Sequence, residues 1–339
     1  MELSALAIPG GVLAIDAGNS KTDVALVAAD GSVLGTARGS GFEPHRVGAA
    51  EAVAALAPLV SAVAGGRLRS GAPLVEHVSA CLANADLPVE ELRLQEAIDE
   101  RGWGRSTAVA NDTFALLRAG VDEPRGVAVV CGAGINCAGL LPDGRTARFA
   151  SVGRISGDWG GGMFLSEEAL WHAARAADGR GPETALAKAL PAHYSVASMD
   201  DLIEALHLGT LPRTRQHEVI PVLFEVAESG DAVARSLVNR QAEEIVLLAQ
   251  VALQRLDLLD VPAPVVLGGG LLSARQPLLL DAVLARLAAA APYAEPHLVT
   301  TPPVVGAALL GLDRTGARAD AQKRLRAAFD TRPPAAVAP

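Results

Sequence analysis

The chain is poor in cysteine. Its 339 residues include three cysteines, Cys81, Cys131 and Cys137, and no two of them form a CxxC pair. An odd number without such a pair argues against a disulfide framework and against a zinc or iron–sulfur ligand set. The seven histidines are dispersed, without the His-x-x-x-His spacing that holds zinc. We therefore expect a protein of a reducing compartment, the cytoplasm, with no zinc or iron–sulfur site.

Basic residues are outnumbered and form no cluster. Lys and Arg number 29 against 38 Asp and Glu, a net charge of −9. A chain without a basic stripe is not expected to bind nucleic acid. No charge-free apolar run approaches the roughly 20 residues that span a bilayer. Residues 1–11 also lack the basic start of a signal peptide. We expect a soluble chain with no nucleic-acid and no membrane partner.

Glycine-rich turns follow a short apolar run at two places. The first turn runs through Gly18, Asn19, Ser20, Lys21 and Thr22. The second runs through Gly132, Ala133 and Gly134. A strand that ends in such a turn can present backbone amides to an anion, and this is how a chain binds nucleotide phosphate. Two such turns, at 18–22 and 132–134, suggest a nucleotide held in a cleft between two lobes.

Both turns belong to copies of one pattern, in which strand, glycine turn, strand, Asp-Gly turn and strand follow in order. The pattern predicts strands over 12–17, 23–28 and 32–37, and again over 126–131, 135–140 and 146–150. The repetition predicts a duplicated α/β domain. Further strands are predicted at 76–82, 107–110 and 265–267, and helices at 49–64, 89–100, 163–177, 198–208, 218–229, 231–259, 305–312 and from there through 328.

The order of the glycine motifs resembles that of the sugar kinase, Hsp70 and actin superfamily. The motifs are Asp16-x-Gly18-x-Ser20-Lys21-Thr22, Cys131-Gly132-x-Gly134-x-Asn136, Gly268-Gly269-Gly270 and Pro302-Pro303-Val304-Val305-Gly306-Ala307-Ala308. They correspond in order to phosphate-1, phosphate-2, adenosine and closing connection. Asn111-Asp112 and the stretch from Ser156 to Gly162 resemble the BadF/BadG/BcrA/BcrD-type ATPases, which include N-acetylglucosamine kinases. The resemblance covers residues 12–312.

The resemblance implies an α/β fold of two RNase H-like lobes, as in actin-type ATPases. Each lobe would have a mixed β-sheet flanked by helices, with the nucleotide cleft between the lobes. It implies an N-terminal lobe with acceptor-sugar contacts over residues 1–120 and a C-terminal lobe with a helical insert and the adenosine site over 121–312. A C-terminal helix over 313–330 and a disordered tail over 331–339 follow. A homodimer is expected.

Asp112 is the expected catalytic base. Phosphoryl transfer to a sugar hydroxyl needs a carboxylate that accepts the hydroxyl proton, and the family pattern places that carboxylate here. A plain helix N-cap is the alternative role for Asp112. By the same resemblance Asp16 holds Mg²⁺ through water, and a turn-forming aspartate is its alternative.

The remaining site residues are also implied by the resemblance. The phosphates of ATP would contact the two glycine turns, and its adenosine would contact Gly268, Gly269 and Gly270. Acceptor contacts are expected at Glu43, Asp86, Asn111, Asp112 and Asp158. Glu43 stands approximately where related hexosamine kinases have an asparagine. For Asp158 the alternative is a cap of the helix that follows.

The combined prediction is an ATP- and Mg²⁺-dependent kinase that converts N-acetylglucosamine to its 6-phosphate. A glucosamine kinase is one alternative. A BadF-type ATPase coupled to another process, such as electron transfer through a cysteine-bound iron–sulfur cluster, is the other.

Overall fold

The computed structural model describes residues 8–330. The predicted disorder of residues 331–339 lies outside this range. The predicted α/β class is confirmed, because two five-stranded mixed sheets are flanked by helices. No helix among the described residues is long and apolar enough to cross a bilayer.

The first sheet is built around a central buried strand, β1, in which residues 11–17 are all buried. Its neighbours are antiparallel on one side and parallel on the other. Along the chain the elements are β1 (Ile8–Ala17), β2 (Lys21–Val27), β3 (Val33–Ser40), α1 (Pro44–Val47), α2 (Ala49–Ala54), α3 (Ala57–Ala64), β4 (Val75–Leu82), α4 (Pro88–Asp99), β5 (Gly104–Asn111) and α5 (Asp112–Gly120). The strand order is β3-β2-β1-β4-β5, with β1, β4 and β5 parallel.

The second sheet repeats this topology. Its strands and the helices between them are β6 (Gly126–Cys131), β7 (Ile135–Leu140), β8 (Thr146–Arg148), α6 (Gly162–Ala177), α7 (Leu186–His193), α8 (Met199–Leu208), α9 (Val219–Glu228), α10 (Ala232–Arg255), β9 (Ala263–Gly268), α11 (Gly270–Ser273), α12 (Pro277–Ala290) and β10 (Ala294–Leu298). The last two helices, α13 (Pro303–Arg314) and α14 (Ala319–Asp330), follow β10 in the chain. The order β8-β7-β6-β9-β10 matches β3-β2-β1-β4-β5 strand for strand. The duplication predicted from the repeated pattern is therefore confirmed.

Contacts divide the chain into two compact units. The first unit contains the residues up to Ala128, Ala138–Ala150 and the residues from Val299 onward. The second contains Val129–Cys137 and Ser151–Leu298. The predicted domain limits at 120 and 312 follow chain order rather than contacts, and they stay predictions.

In the first unit, α13 packs closely on α5 and on the sheet. A Cβ at Gly306 would overlap the carbonyl oxygen of Ala115, and one at Gly311 would overlap the side chain of Val12. Because both glycines lack a side chain, α13 reaches the backbone of α5 at Gly306 and the side chains of the sheet at Gly311. This contact sets the position of α5, whose first residue is Asp112.

A buried arginine holds the other end of α5. Arg118 is fully buried and donates to both carboxylate oxygens of Asp313 at 2.8 and 3.2 Å. It also donates to the Gln322 side chain at 2.9 Å and to the Val121 carbonyl at 2.9 Å. A buried guanidinium is stable only when its donors are paired, so this network joins α5 to α13 and α14.

Several predicted boundaries were wrong for local reasons. The helix predicted over 49–64 is broken, because α3 begins anew with Pro58 in its first turn. The prediction omitted α7, α12 and β10. The strand β10 is short, mostly exposed and contains Pro296, so it lacks the usual apolar signal of a strand.

We expect Gly306→Ala to destabilise the protein by about 3 kcal/mol, because the added methyl meets an unyielding backbone carbonyl. Gly102→Ala is the control. Gly102 has open space around it and a φ of 61°, so only left-handed backbone strain opposes a side chain there, at a cost of about 1 kcal/mol. Urea unfolding of both variants measures the difference. Equal losses would contradict the close packing of α13 on α5.

Candidate active site

The first glycine turn joins β1 to β2 and is held by its own backbone. The Lys21 carbonyl accepts from the Gly18 N–H at 2.8 Å, and the Gly18 carbonyl accepts from the Phe42 N–H at 3.0 Å. A Cβ at Gly41 would overlap the carbonyl oxygen of Asn19. The turn is therefore fixed against the segment that follows β3.

The sequence prediction missed Asn84 as a residue of this site. Its Nδ2 donates to the Asn19 Oδ1 at 2.9 Å and to the Phe42 carbonyl at 3.3 Å. Asn84 has a φ of 62°, a left-handed conformation that asparagine tolerates better than most residues. An asparagine two residues after the end of β4 was the available signal.

A row of charged side chains crosses the first sheet. Asp16 lies opposite Asp23 in β2, and Asp23 lies opposite Arg38 in β3, so all three side chains share one face. Arg38 donates to both carboxylate oxygens of Asp23 at 2.6 and 2.9 Å. The Lys21 ammonium lies 3.4 Å from Asp23. Arg38 and Lys21 therefore direct their charges mainly to Asp23.

Asp16 and Asp112 lie near the carboxyl ends of the parallel strands β1 and β5, close enough for the charge of Asp112 to act on Asp16. Burial raises the pKa of Asp16 well above its usual value, and the charges of Asp112 and Asp23 raise it further. Burial likewise raises the pKa of Asp112 to about 6. Since like charges in a desolvated site repel, this pair favours a cation or a bound proton.

The alternative roles of these two aspartates are wrong. Asn111 caps α5, because its side chain accepts from the Thr113 N–H at 2.9 Å, and Asp112 is the first residue of the helix. Asp16 lies within β1 rather than in the turn. Asp112 is therefore not the N-cap of α5, and Asp16 does not form the turn.

Two further predicted acceptor residues lie beside Asp112, whereas Glu43 is engaged elsewhere. The Asn111 Nδ2 donates to the Asp86 Oδ1 at 2.8 Å, which links the ends of β4 and β5. Glu43 precedes α1 and pairs with Arg46 at 2.5 Å in an exposed ion pair. The role of Glu43 as an acceptor contact stays a prediction.

The second glycine turn lies against the start of α6. The Gly132 carbonyl accepts from the Gly162 N–H at 2.7 Å, and the Ala133 carbonyl accepts from the Met163 N–H at 3.0 Å. Because a trans peptide points its carbonyl and the following N–H in opposite directions, the amides of Ala133 and Gly134 face away from α6. Two adjacent amides on one side are suited to an anion.

The third glycine motif lies next to the second turn, in the same unit. Gly269 has a φ of 88°, and a Cβ there would lie 2.5 Å from the Cys131 carbonyl oxygen. The Cβ position of Gly132 lies 3.7 Å from the Gly270 nitrogen. The structure thus places the second turn, which is predicted to bind phosphate, next to the motif that is predicted to bind adenosine.

Asp158 organises its own loop. Its Oδ2 accepts from the Gly153 N–H at 3.0 Å and from the Ser156 hydroxyl at 2.6 Å. The helix-cap alternative is wrong, because α6 begins after Gly161. Trp159 is buried beside Asp158, with the guanidinium of Arg240 4.3 Å from its ring centre.

Across residues 8–330, no group of three or more His, Cys, Asp and Glu side chains is arranged to hold a metal ion. A cation at Asp16 would therefore need most of its ligands from water or from a substrate. Magnesium usually keeps several waters and binds through one or two carboxylates and substrate phosphates, so this donor set fits it.

Comparison with known proteins identifies the family of this chain. A model of the BadF/BadG/BcrA/BcrD ATPase family matches residues 13–311, which confirms the predicted family. The N-acetylmuramic acid/N-acetylglucosamine kinase of Clostridium acetobutylicum is 24% identical over 265 residues, 77% of this chain and 85% of that protein. The N-acetyl-D-glucosamine kinase of Dictyostelium discoideum is 27% identical over 241 residues, 69% of this chain and 75% of that protein.

A solved structure shows the same fold. A Chromobacterium violaceum protein, provisionally described as an N-acetylglucosamine kinase, aligns with a TM-score of 0.67 and 20% identity. The alignment covers 91% of this chain and 99% of that one. The predicted actin-type ATPase fold class is therefore confirmed.

We expect Asp112→Asn to stabilise the ligand-free protein at pH 7.5. A carboxyl with a raised folded pKa binds its proton more tightly when folded, so its charge costs stability as the pH rises from about 4 through about 6. The gain should reach up to about 3 kcal/mol at pH 7.5 and vanish toward pH 4.

Urea unfolding at the two pH values measures this effect. Asp143→Asn is the control, because Asp143 is exposed and its pKa is lowered by hydrogen bonds from Arg145. Asp143→Asn should have the opposite effect, a small loss of stability at pH 7.5. If Asp112→Asn instead destabilised the protein at pH 7.5, burial would not disfavour the ionised form of Asp112.

Proposed function

Because this chain belongs to the BadF/BadG/BcrA/BcrD ATPase family, we propose that it is an ATP-dependent hexosamine kinase that phosphorylates the 6-hydroxyl of N-acetylglucosamine. The observation that carries the proposal is the juxtaposition of Asp16 and Asp112 at the carboxyl ends of β1 and β5. The names of the two curated relatives support the substrate class.

Asp112 is the proposed base. With a pKa of about 6 it is mostly ionised at neutral pH, yet it remains basic enough to accept a proton as the sugar oxygen attacks phosphorus. The α5 helix fixes its position, because Asn111 caps the start and Arg118 anchors the end. Proton acceptance therefore needs little rearrangement of the chain.

The nucleotide contacts come from three glycine motifs. In the first turn, the Ser20 and Thr22 hydroxyls, the Lys21 ammonium and the backbone of Gly18 and Asn19 are the proposed phosphate donors. In the second unit, the amides of Ala133 and Gly134 supply donors next to Gly132. Adenosine contacts are proposed for Gly268, Gly269 and Gly270.

Asp16 is the proposed magnesium residue, acting through bound water. Its pKa is raised by burial and by two neighbouring carboxylates, so a cation would stabilise its charged form. Magnesium supplies charge neutralisation on the β- and γ-phosphates of ATP. Asp23 is satisfied by Arg38 and Lys21, so Asp16 and Asp112 remain to face the substrates.

Asp86, Asn111 and Asp158 are the proposed acceptor contacts, together with Glu43 on the sequence prediction alone. Carboxylates and amides pair well with sugar hydroxyls, since they accept and donate in fixed directions. A glucosamine acceptor remains the nearest alternative. The homodimer also remains a prediction.

The burial of the three cysteines argues against the electron-transfer alternative. Cys81, Cys131 and Cys137 are all buried in strands. Burial raises the pKa of Cys131 to about 12 and also raises those of Cys81 and Cys137. A cluster shared between subunits needs accessible thiolates.

The function is tested by ADP release in a coupled assay with glucose, glucosamine, N-acetylglucosamine, N-acetylmannosamine and N-acetylmuramate. We expect N-acetylglucosamine to give the highest kcat/KM. Asp112→Asn should lower kcat by a factor of about 100 or more while nucleotide binding persists.

Asp200→Asn, an exposed change on α8, is the matched control and should leave the rates unchanged. Rapid turnover by Asp112→Asn would remove Asp112 from the base role. ADP release that ignores every sugar would contradict a kinase.

We also expect kcat/KM for the sugar to rise with pH and to level off above a midpoint near pH 6, because the base works only when ionised. A pH series from 4.5 to 8 at fixed ionic strength measures this. A midpoint near 4 would show that Asp112 titrates as an ordinary aspartate in the working enzyme.

A further inference from the structure

A glutamine on α10 reaches the glycine segment that precedes α6. The Gln241 Oε1 accepts from the Gly161 N–H at 2.8 Å, and both groups are buried. Gln241 is fully buried, whereas most glutamines in proteins are exposed. A buried amide on a helix of the helical insert therefore supports a loop 80 residues earlier in the chain.

The contact allows no side chain on the loop. A Cβ at Gly160 would lie 2.6 Å from the Gln241 Oε1 and 2.7 Å from its Nε2. Gly160 has a φ of 118°, which glycine adopts readily and other residues rarely do. The loop backbone lies directly on the amide of Gln241.

The same loop supports the second glycine turn. A Cβ at Gly161 would lie 2.5 Å from the Gly134 Cα and 2.7 Å from the Ala133 carbonyl oxygen. The next residue, Gly162, donates to the Gly132 carbonyl at 2.7 Å. The contacts therefore run without a gap from Gln241, through two glycines, to the turn whose amides are proposed to bind phosphate.

Hydrogen bonds compensate only partly for the burial of the Gln241 side-chain amide. Among residues 8–330, the Nε2 of Gln241 has no hydrogen-bond partner, although its side chain is inaccessible to solvent. An unpaired buried donor is unfavourable, and a leucine or methionine would avoid the loss. The presence of glutamine here therefore points to the hydrogen bond that its Oε1 accepts from Gly161.

We propose that Gln241 is a positioning residue for nucleotide binding, which holds the Gly160–Gly161 segment so that the Gly132–Gly134 turn presents its amides to phosphate. This inference rests on the proposed function, which identifies the ligand as a nucleotide. It assigns a role to a residue of α10 that has no place in the glycine motifs.

The test compares ADP binding, in the presence of MgCl₂, by isothermal titration calorimetry. Gln241→Met has nearly the same shape and lacks the acceptor, so we expect its ADP affinity to fall about tenfold. In steady-state assays KM for ATP should rise by about the same factor, with kcat and the sugar KM within about twofold of the parent values.

Gln241→Glu is the rescue variant, because it keeps an oxygen where the Gly161 N–H donates. We expect its ADP affinity to lie within about threefold of the parent value, even if the buried carboxyl lowers Tm. Gln250→Met makes the same change on the same helix, roughly 13 Å further along, and should alter neither quantity.

The outcomes separate this inference from the proposed function. Unchanged ADP affinity in Gln241→Met, with a lower Tm alone, would reduce Gln241 to a structural residue. Equal losses in Gln241→Met and Gln241→Glu would also overturn the inference, because the accepted hydrogen bond would not be the cause. Failure of the parent chain to bind ADP would instead contradict the proposed kinase.

Discussion

The site depends on carboxylates placed close together in a desolvated environment. Asp16 lies in the central strand of the first sheet, and Asp112 begins the helix that follows β5. Burial raises the cost of ionising Asp16, and the charges of Asp112 and Asp23 increase that cost further. A chain selected for stability alone would avoid this arrangement. It becomes favourable when a cation and a hydroxyl group share the site, as phosphoryl transfer requires.

The two basic side chains nearest this pair, Arg38 and Lys21, are paired with Asp23. Arg38 takes both oxygens of that carboxylate, and Lys21 lies close to it as well. Two roles are thereby separated within one row of the sheet. Asp23 balances most of the protein's own positive charge, whereas Asp16 keeps a raised pKa that a bound cation would lower.

Close backbone contacts set the remaining geometry. Gly41 against Asn19 fixes the first turn, and Gly161 against Gly134 fixes the second. Gly306 brings α13 onto α5 and so sets the position of the base. In each case the absence of a side chain permits a contact that no larger residue would allow, which explains why glycines occur where the chain needs precision rather than mobility.

Much of the fold and family followed from local patterns. The strands at 126–131 and 135–140 were predicted with the limits that the structure has, because short apolar runs between turn residues mark their own ends. Of the elements missed, α12 and β10 have weak local signals: α12 is apolar on more than one side, and β10 is polar and short. The alternative cap roles of Asp112 and Asp158 stayed open in the sequence because neighbouring residues compete at each helix start, and only the folded chain shows that Asn111 and Gly161 are the N-cap residues.

The amino-acid sequence by itself determined the duplicated α/β pattern, the two glycine turns and the candidate base, since each depends on neighbouring residues and on their order. Tertiary structure alone decided that Asp112 raises the proton affinity of Asp16, that Asn84 holds the first turn, and that Gln241 supports the second. These contacts join segments far apart in the chain. Their formation depends on strand register and helix packing, which no local spacing encodes.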